Sequence, residues 1–322
     1  MYYGDPFYLG ETWTSSIGTE CYEMPTAIVR IYTSEGFVIA GDGRARDETG
    51  RILTENQQKV FPIVDSNRAL CYSMNGMPRV YNPADQGETL VDLVAQADQS
   101  GKSLQAGNPA NLNSYARKFC RMLRNSLHAA NRKNETTVRL FPTLNPYQSE
   151  PGSHVILYVY FDGYYKGIPG QVDAIFFHRN QTVASPDVSK NLNLQPSYKV
   201  HGSLLVANSL LTPTFDPRLS AYRTAAMSKP LSQITLAEAV EIAAQYIRAC
   251  DSEIGREIDP VLAPGIGGHI HIATITPNHG FEWAQGYEPV QPVANGVDRT
   301  DEDHQQAPSG QNLASSDPSK GL

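Results

Sequence analysis

The chain has 322 residues, with 26 Lys and Arg against 33 Asp and Glu, a formal net charge of −7, and 40% hydrophobic against 18% charged residues. That balance belongs to an ordinary soluble globular protein, and the acidic excess repels phosphate backbones, so nucleic acid is not an expected partner. No uncharged apolar run approaches the roughly 18 residues of a spanning helix, and the start has neither a basic nor a continuous apolar signal region, so a cytoplasmic protein without a membrane partner is expected.

Taken in chain order, residues 1–25 carry Tyr2, Tyr3, Phe7, Tyr8, Trp13 and Tyr22, which gives this arm or propeptide something to pack with. Residues 26–287 have the size of one large domain. Residues 288–322 contain no aromatic residue and are rich in Pro, Gly, Ser and Gln, the composition of a disordered tail. Within the domain, Thr26–Thr33, the turn at Ser34–Gly36 and Phe37–Ala40 predict a β-hairpin. Lys59–Ile63 and Ala69–Met74 predict two further strands around Asp65–Asn67. Helices are predicted over Glu88–Asp98 and Leu112–Arg132, the second with Tyr115, Phe119, Met122 and Leu123 on one face. Two strands, His154–Phe161 and Val172–His178, are expected around a turn at Asp162–Gly163. Thr235–Glu238 reads as a capping box that opens a helix to Cys250. Gly267–Thr276 and Phe281–Trp283 read as closing strands around Asn278–Gly280. Strands gathered in runs predict antiparallel sheets in an α+β protein.

Cys21, Cys71, Cys120 and Cys250 form no CxxC pair and read as free thiols, buried for the most part. His269 and His271 lie two apart on a strand, but without a visible third ligand a structural or solvated pair is the reading, and no metal is expected. Arg117, Arg121 and Arg124 form a basic helical stripe, read as a solvated face or subunit contact.

The run Thr26–Thr33, Gly36, Phe37–Ala40, Asp42, Gly43, Arg44, Gly50 and Lys59 resembles the opening of proteasome-type β-subunits, members of the N-terminal nucleophile hydrolases. Gly76 resembles the glycine ending a strand before that family's first long helix. The resemblance implies a four-layer αββα sandwich, two antiparallel sheets flanked by helix pairs, with no cofactor. It also implies a threonine exposed by propeptide removal, whose hydroxyl attacks an amide carbonyl while its own α-amine acts as base. Carried onto this chain, Thr26 would be nucleophile and base, Lys59 the cation beside it, Asp42 the carboxylate that orients Lys59, and the N–H of Gly76 the oxyanion donor. Peptide or protein substrates and a homo-oligomer or ring of subunits follow from the same resemblance.

Two departures stand beside it. Pro25 occupies the place of the glycine that precedes the threonine in active members, which hinders self-cleavage. Ala263–Ile266 replaces the acidic residue and serine expected before Gly267–Gly268, Asp259 being the nearest carboxylate, while Ser203 is the candidate for a further supporting serine. The alternative reading is therefore a non-catalytic structural or ring subunit that keeps its arm.

Overall fold

The computed structural model describes residues 26–46, 50–76, 79–82, 85–105, 107–134, 153–179, 182–183, 186–190 and 194–290. The expected arm, its Cys21 and the tail beyond residue 290 lie outside the described residues. The chain divides into two units, Met1–Val290 and Gln291–Leu322, and everything that follows belongs to the first.

The strands are β1 (Ile28–Tyr32), β2 (Phe37–Gly41), β3 (Ala45–Arg46), β4 (Ile52–Thr54), β5 (Val60–Asp65), β6 (Arg68–Gly76), β7 (Arg79–Asn82) and β8 (Asp85–Asp92) before the first helices, α1 (Leu93–Gln105) and α2 (Leu112–Asn134). Then come β9 (Ser153–Tyr165), β10 (Ile168–Arg179), β11 (Thr182–Val183), β12 (Asp187–Lys190), β13 (Ser197–His201), α3 (Leu204–Leu211), α4 (Leu236–Asp251), α5 (Glu253–Ile258), β14 (His271–Thr276) and β15 (Gly280–Trp283). The fold is α+β. One sheet has the order β13-β1-β2-β14-β15 and another β11-β10-β9-β6-β5, with β12 on β10, and β3-β4 and β7-β8 form two small hairpins. All these pairings are antiparallel.

Alternation along the strands sorts the core into three apolar clusters. Leu70, Tyr72, Val159, Phe161 and Phe176 pack against Leu93 and Ala97 of α1 and Tyr115, Phe119 and Leu123 of α2. Val29, Ile31, Val38, Ala40 and Ile272 pack against Val206 and Leu210 of α3 and Ala239, Ala243, Tyr246 and Ile247 of α4. Phe37, Ile39, Ala273 and Ile275 of the first sheet meet Val60, Cys71 and Tyr164 of the second. Cys71, Cys120 and Cys250 are buried free thiols.

The helix expected from Glu88 begins later. Residues 85–92 form β8, paired with β7, and α1 runs from Leu93. The turn expected at Asp162–Gly163 is also displaced: β9 continues to Tyr165, and the chain reverses at Lys166–Gly167, both at positive φ. Asp162 is fully buried against Arg30, so it serves as a charge partner and not as a turn residue. Gly163, at φ +129°, lets the strand lie close to β6, because a Cβ there would meet the Ala69 carbonyl oxygen at 2.3 Å. The capping box of α4 is present in both halves, Thr235 to the Glu238 N–H and Glu238 to the Thr235 N–H. Among the described residues no helix is long and apolar enough to cross a membrane.

Candidate active site

Thr26 lies two residues before the start of β1 and is buried. β1 pairs Ile28 with His201, and just beyond the ladder the backbone of Gly202 approaches that of Ala27, where a Cβ on Gly202 would lie 3.2 Å from Ala27 Cα. β2 ends at Gly41, so Asp42 leaves the sheet beside the start of β1 and its carboxylate is taken up at once. Asp42 Oδ1 accepts the Ala27 N–H at 2.8 Å and the Lys59 Nζ at 2.6 Å. Asp42 Oδ2 accepts the Gly267 N–H at 3.1 Å and the Arg44 N–H at 3.3 Å. Lys59 Nζ also donates to the Arg44 carbonyl at 2.8 Å. Asp42 and Lys59 are thus paired, and the carboxylate also takes the peptide N–H that follows Thr26.

The charges on this pair follow from its neighbours. Burial pushes the Asp42 carboxyl up, opposed by Lys59 and the Ala27 and Gly267 N–H groups. Since every group around its oxygens is a donor, a protonated Asp42 would have no acceptor for its own proton, and the carboxylate is the form that fits. Burial pulls the Lys59 ammonium below its ordinary range, against the attraction of Asp42. Both of its partners are acceptors, which fits an ammonium whose proton is held less tightly than that of a solvated lysine.

Gly76 is the last residue of β6, at φ +133°, and its partner across the ladder is Leu157. Two residues earlier, Met74 donates its N–H to the Lys59 carbonyl at 3.0 Å, which puts the end of β6 on the Lys59 side of the site.

The segment before β14 supports Asp42 through its backbone. Gly267 donates to the Asp42 carboxylate and accepts the Gly43 and Arg44 N–H groups at 3.0 and 2.8 Å. Arg44 locks this arrangement, reaching Glu55 at 3.1 Å, Asp251 at 3.0 Å and the Ile266 carbonyl at 3.0 Å.

Two features escaped the sequence. Asp259, the carboxylate nearest the closing glycines in sequence, caps the end of α5 and accepts the Ser203 hydroxyl at 2.6 Å, with both side chains buried. Ser203 Oγ in turn accepts the Val206 N–H and so caps α3. No local signal joins residues 203 and 259. The histidines, read as a possible pair, separate: His269 Nε2 lies 2.7 Å from the Glu288 carbonyl, while His271 is buried and its Nε2 accepts the Lys59 N–H at 2.9 Å. Among the described residues no group of His, Cys, Asp and Glu side chains is placed to hold a metal ion.

No protein-family model and no curated protein matches the chain. Solved structures similar to it include an Anbu (Gly-1) mutant from Hyphomicrobium sp. strain MC1, 14% identical over 81% of this chain and 85% of that one, with a TM-score of 0.43. Anbu (ancestral beta-subunit) from Yersinia bercovieri is 13% identical over 81% and 88%, TM-score 0.44. A third structure, described as the helical assembly of the Anbu complex from Pseudomonas aeruginosa, is 12% identical over 78% and 81%, TM-score 0.43. The sequence-based assignment to the proteasome-type N-terminal nucleophile hydrolases is corrected accordingly: no family model places the chain there, and the three solved structures named above are Anbu proteins.

Proposed function

We propose that the chain is a threonine-type amide hydrolase, with Thr26 as nucleophile once residues 1–25 are removed. The observation that carries this reading is the shared oxygen of Asp42, which accepts both the Ala27 N–H and the Lys59 ammonium and so supports a cation beside the first peptide of the processed chain. A freed α-amine has a reference pKa of about 7.7 to 8.0, and a neighbouring ammonium lowers it, so a neutral amine is available near pH 7 to accept the hydroxyl proton. Thr26 Oγ1 then bonds to the amide carbon, the carbonyl electrons move to oxygen opposite the N–H of Gly76, and the amine returns its proton to the departing nitrogen. Water, deprotonated by the same amine, cleaves the ester and restores Thr26. The Ser203–Asp259 pair is assigned the support of the Thr26 α-amine, a role whose basis is that Gly202, the residue before Ser203, lies against the backbone of Ala27.

The layer order α1/α2, sheet, sheet, α3/α4 belongs to the same proposal. Its support is the three clusters, one between each helix pair and its sheet and one between the sheets. The domain limits, residues 26–287 with an arm before and a tail after, are proposed with it. A homo-oligomer is proposed from the aromatic arm and from Leu204 and Leu205, about half exposed beside Ser203; a monomer by size-exclusion chromatography with light scattering sinks that part.

A second reading, a structural subunit that retains its arm, draws support from Pro25, whose ring crowds the bond that must break. N-terminal sequencing and intact mass separate the two. A chain starting at Thr26 that hydrolyses peptide anilides, and loses turnover without loss of fold on Thr26→Ala, is the expected result. An unprocessed, inert chain refutes the hydrolase.

A further inference from the structure

Beside this site lies a buried titratable side chain that the chemistry above does not use. His271 is 1% exposed and sits across the ladder from Gly41, the residue before Asp42. Its Nε2 accepts the backbone N–H of Lys59 at 2.9 Å, a hydrogen bond from a side chain of one sheet to the backbone leading into the other. The Lys59 carbonyl is taken by the Met74 N–H of β6, and its Nζ by Asp42 and the Arg44 carbonyl. Lys59 is thus held at three points, and among the described residues the imidazole is the one side chain bonded to its backbone. The ring also lies tight against Gly41: a Cβ there would lie 2.9 Å from His271 Nε2 and 3.3 Å from Lys59 Cβ, so a larger residue at 41 would displace the imidazole. On its other side the ring meets Trp283 edge to face at 6.3 Å between centroids.

We infer that His271 is a positioning residue for Lys59: by accepting the Lys59 N–H it fixes the backbone from which the ammonium reaches Asp42. An acceptor at Nε2 requires the neutral ring with its proton on Nδ1. Burial, with the nearby charges of Lys59 and His269, lowers the His271 pKa to about 3, so the acceptor persists over the working pH range. The catalytic consequence rests on the hydrolase reading; the placement of Lys59 does not.

The test has a part that requires no turnover. In wild-type protein labelled with 15N histidine, two-bond proton–nitrogen correlation is expected to show His271 as the Nδ1–H tautomer from pH 4.5 to 8. An Nε2–H tautomer overturns the inference, whatever the variants do. In protein labelled at lysine Nζ, with the Lys59 signal assigned by Lys59→Arg, His271→Phe keeps a ring but removes the acceptor and is expected to move the Lys59 titration by about one pH unit. His271→Gln, whose amide oxygen reaches the same N–H, is expected to restore it. If the processed enzyme turns over, kcat of the Phe variant falls about tenfold at nearly unchanged KM, and the pH–rate limb moves with the Lys59 titration. Lys59 titrating identically in wild-type and Phe proteins refutes the inference. Absence of turnover in wild type sinks only the hydrolase, because both NMR results still decide the role of His271.

Discussion

Replacing Asp42 by Asn tests how much of the site rests on one carboxylate. The four donors divide two to each oxygen: Ala27 N–H and Lys59 Nζ on Oδ1, Gly267 N–H and Arg44 N–H on Oδ2. An amide keeps one acceptor, so whichever way it turns, its NH2 faces two donors. Orphaning two buried donors costs about 1–3 kcal/mol each. Removing the charged partner of a buried lysine belongs to a class of changes that costs about 3–5 kcal/mol, and the two penalties overlap at Lys59. A loss of about 4–6 kcal/mol is expected, a large share of the roughly 5–15 kcal/mol that keeps a domain folded. The assay is urea unfolding followed by far-UV circular dichroism across pH 6 to 10. Burial already depresses the Lys59 pKa, and without Asp42 it falls further. Between the folded and unfolded pKa values the unfolded chain binds the extra proton, so stability rises with pH, and the deficit of the variant must shrink as pH climbs toward the ordinary lysine value of about 10.4. A deficit below about 1 kcal/mol, or one independent of pH, refutes the claim that Lys59 is held as an ammonium by Asp42.

The other predictions concern the surroundings of the site. Ser203→Ala removes both the cap of α3 and the donor to Asp259, and a loss of about 1–3 kcal/mol by thermal unfolding is expected, with an unchanged melting temperature as the contrary result. Arg30→Met leaves Asp162, fully buried and held by Arg30 at 2.8 and 2.9 Å, without its cationic partner, and about 3–5 kcal/mol should be lost. Adding Asp162→Asn to Arg30→Met should recover part of that loss in a double-mutant cycle, and simple additivity would contradict the pairing. Acid should destabilise the protein well before its carboxylates titrate. His271 and His201 are each lowered to about 3, mainly by burial, with Lys59 acting on the first and Arg30 on the second. Their unfolded pKa is about 6.5, so stability is complete above that value and is lost as pH falls toward 3, by about 2 kcal/mol per histidine at pH 5. Unfolding free energies that stay flat from pH 7 to 5 would count against the lowering at both rings, the buried His271 and the partly exposed His201.

Much of the local structure was legible because it depends on neighbours in sequence. The hairpin of Thr26–Ala40, the apolar face of α2 and the Thr235–Glu238 capping box are set by strand alternation, by helical spacing and by a three-residue hydrogen-bond reach, and each stands where those patterns place it. The misread segments are those where a distant partner overrides the local signal. Asp162–Gly163 has turn chemistry, yet Arg30 claims the carboxylate and the strand continues. Residues 88–92 pair with β7 instead of joining α1. The resemblance put Asp42 and Lys59 in one cluster with Thr26, and the hydrogen bonds at Asp42 join it to Lys59 and to the Ala27 N–H.

What sequence alone determined is therefore the set of elements and the residue types able to form a buried cation–carboxylate pair next to Thr26. Tertiary structure decided which groups complete it: Gly267 donating to Asp42, Asp259 accepting from Ser203, and His271 accepting from Lys59. Each of these contacts joins residues from 56 to 225 positions apart. Periodicity cannot encode such pairings, because they exist only once two sheets have packed and every buried donor must find an acceptor within hydrogen-bond reach.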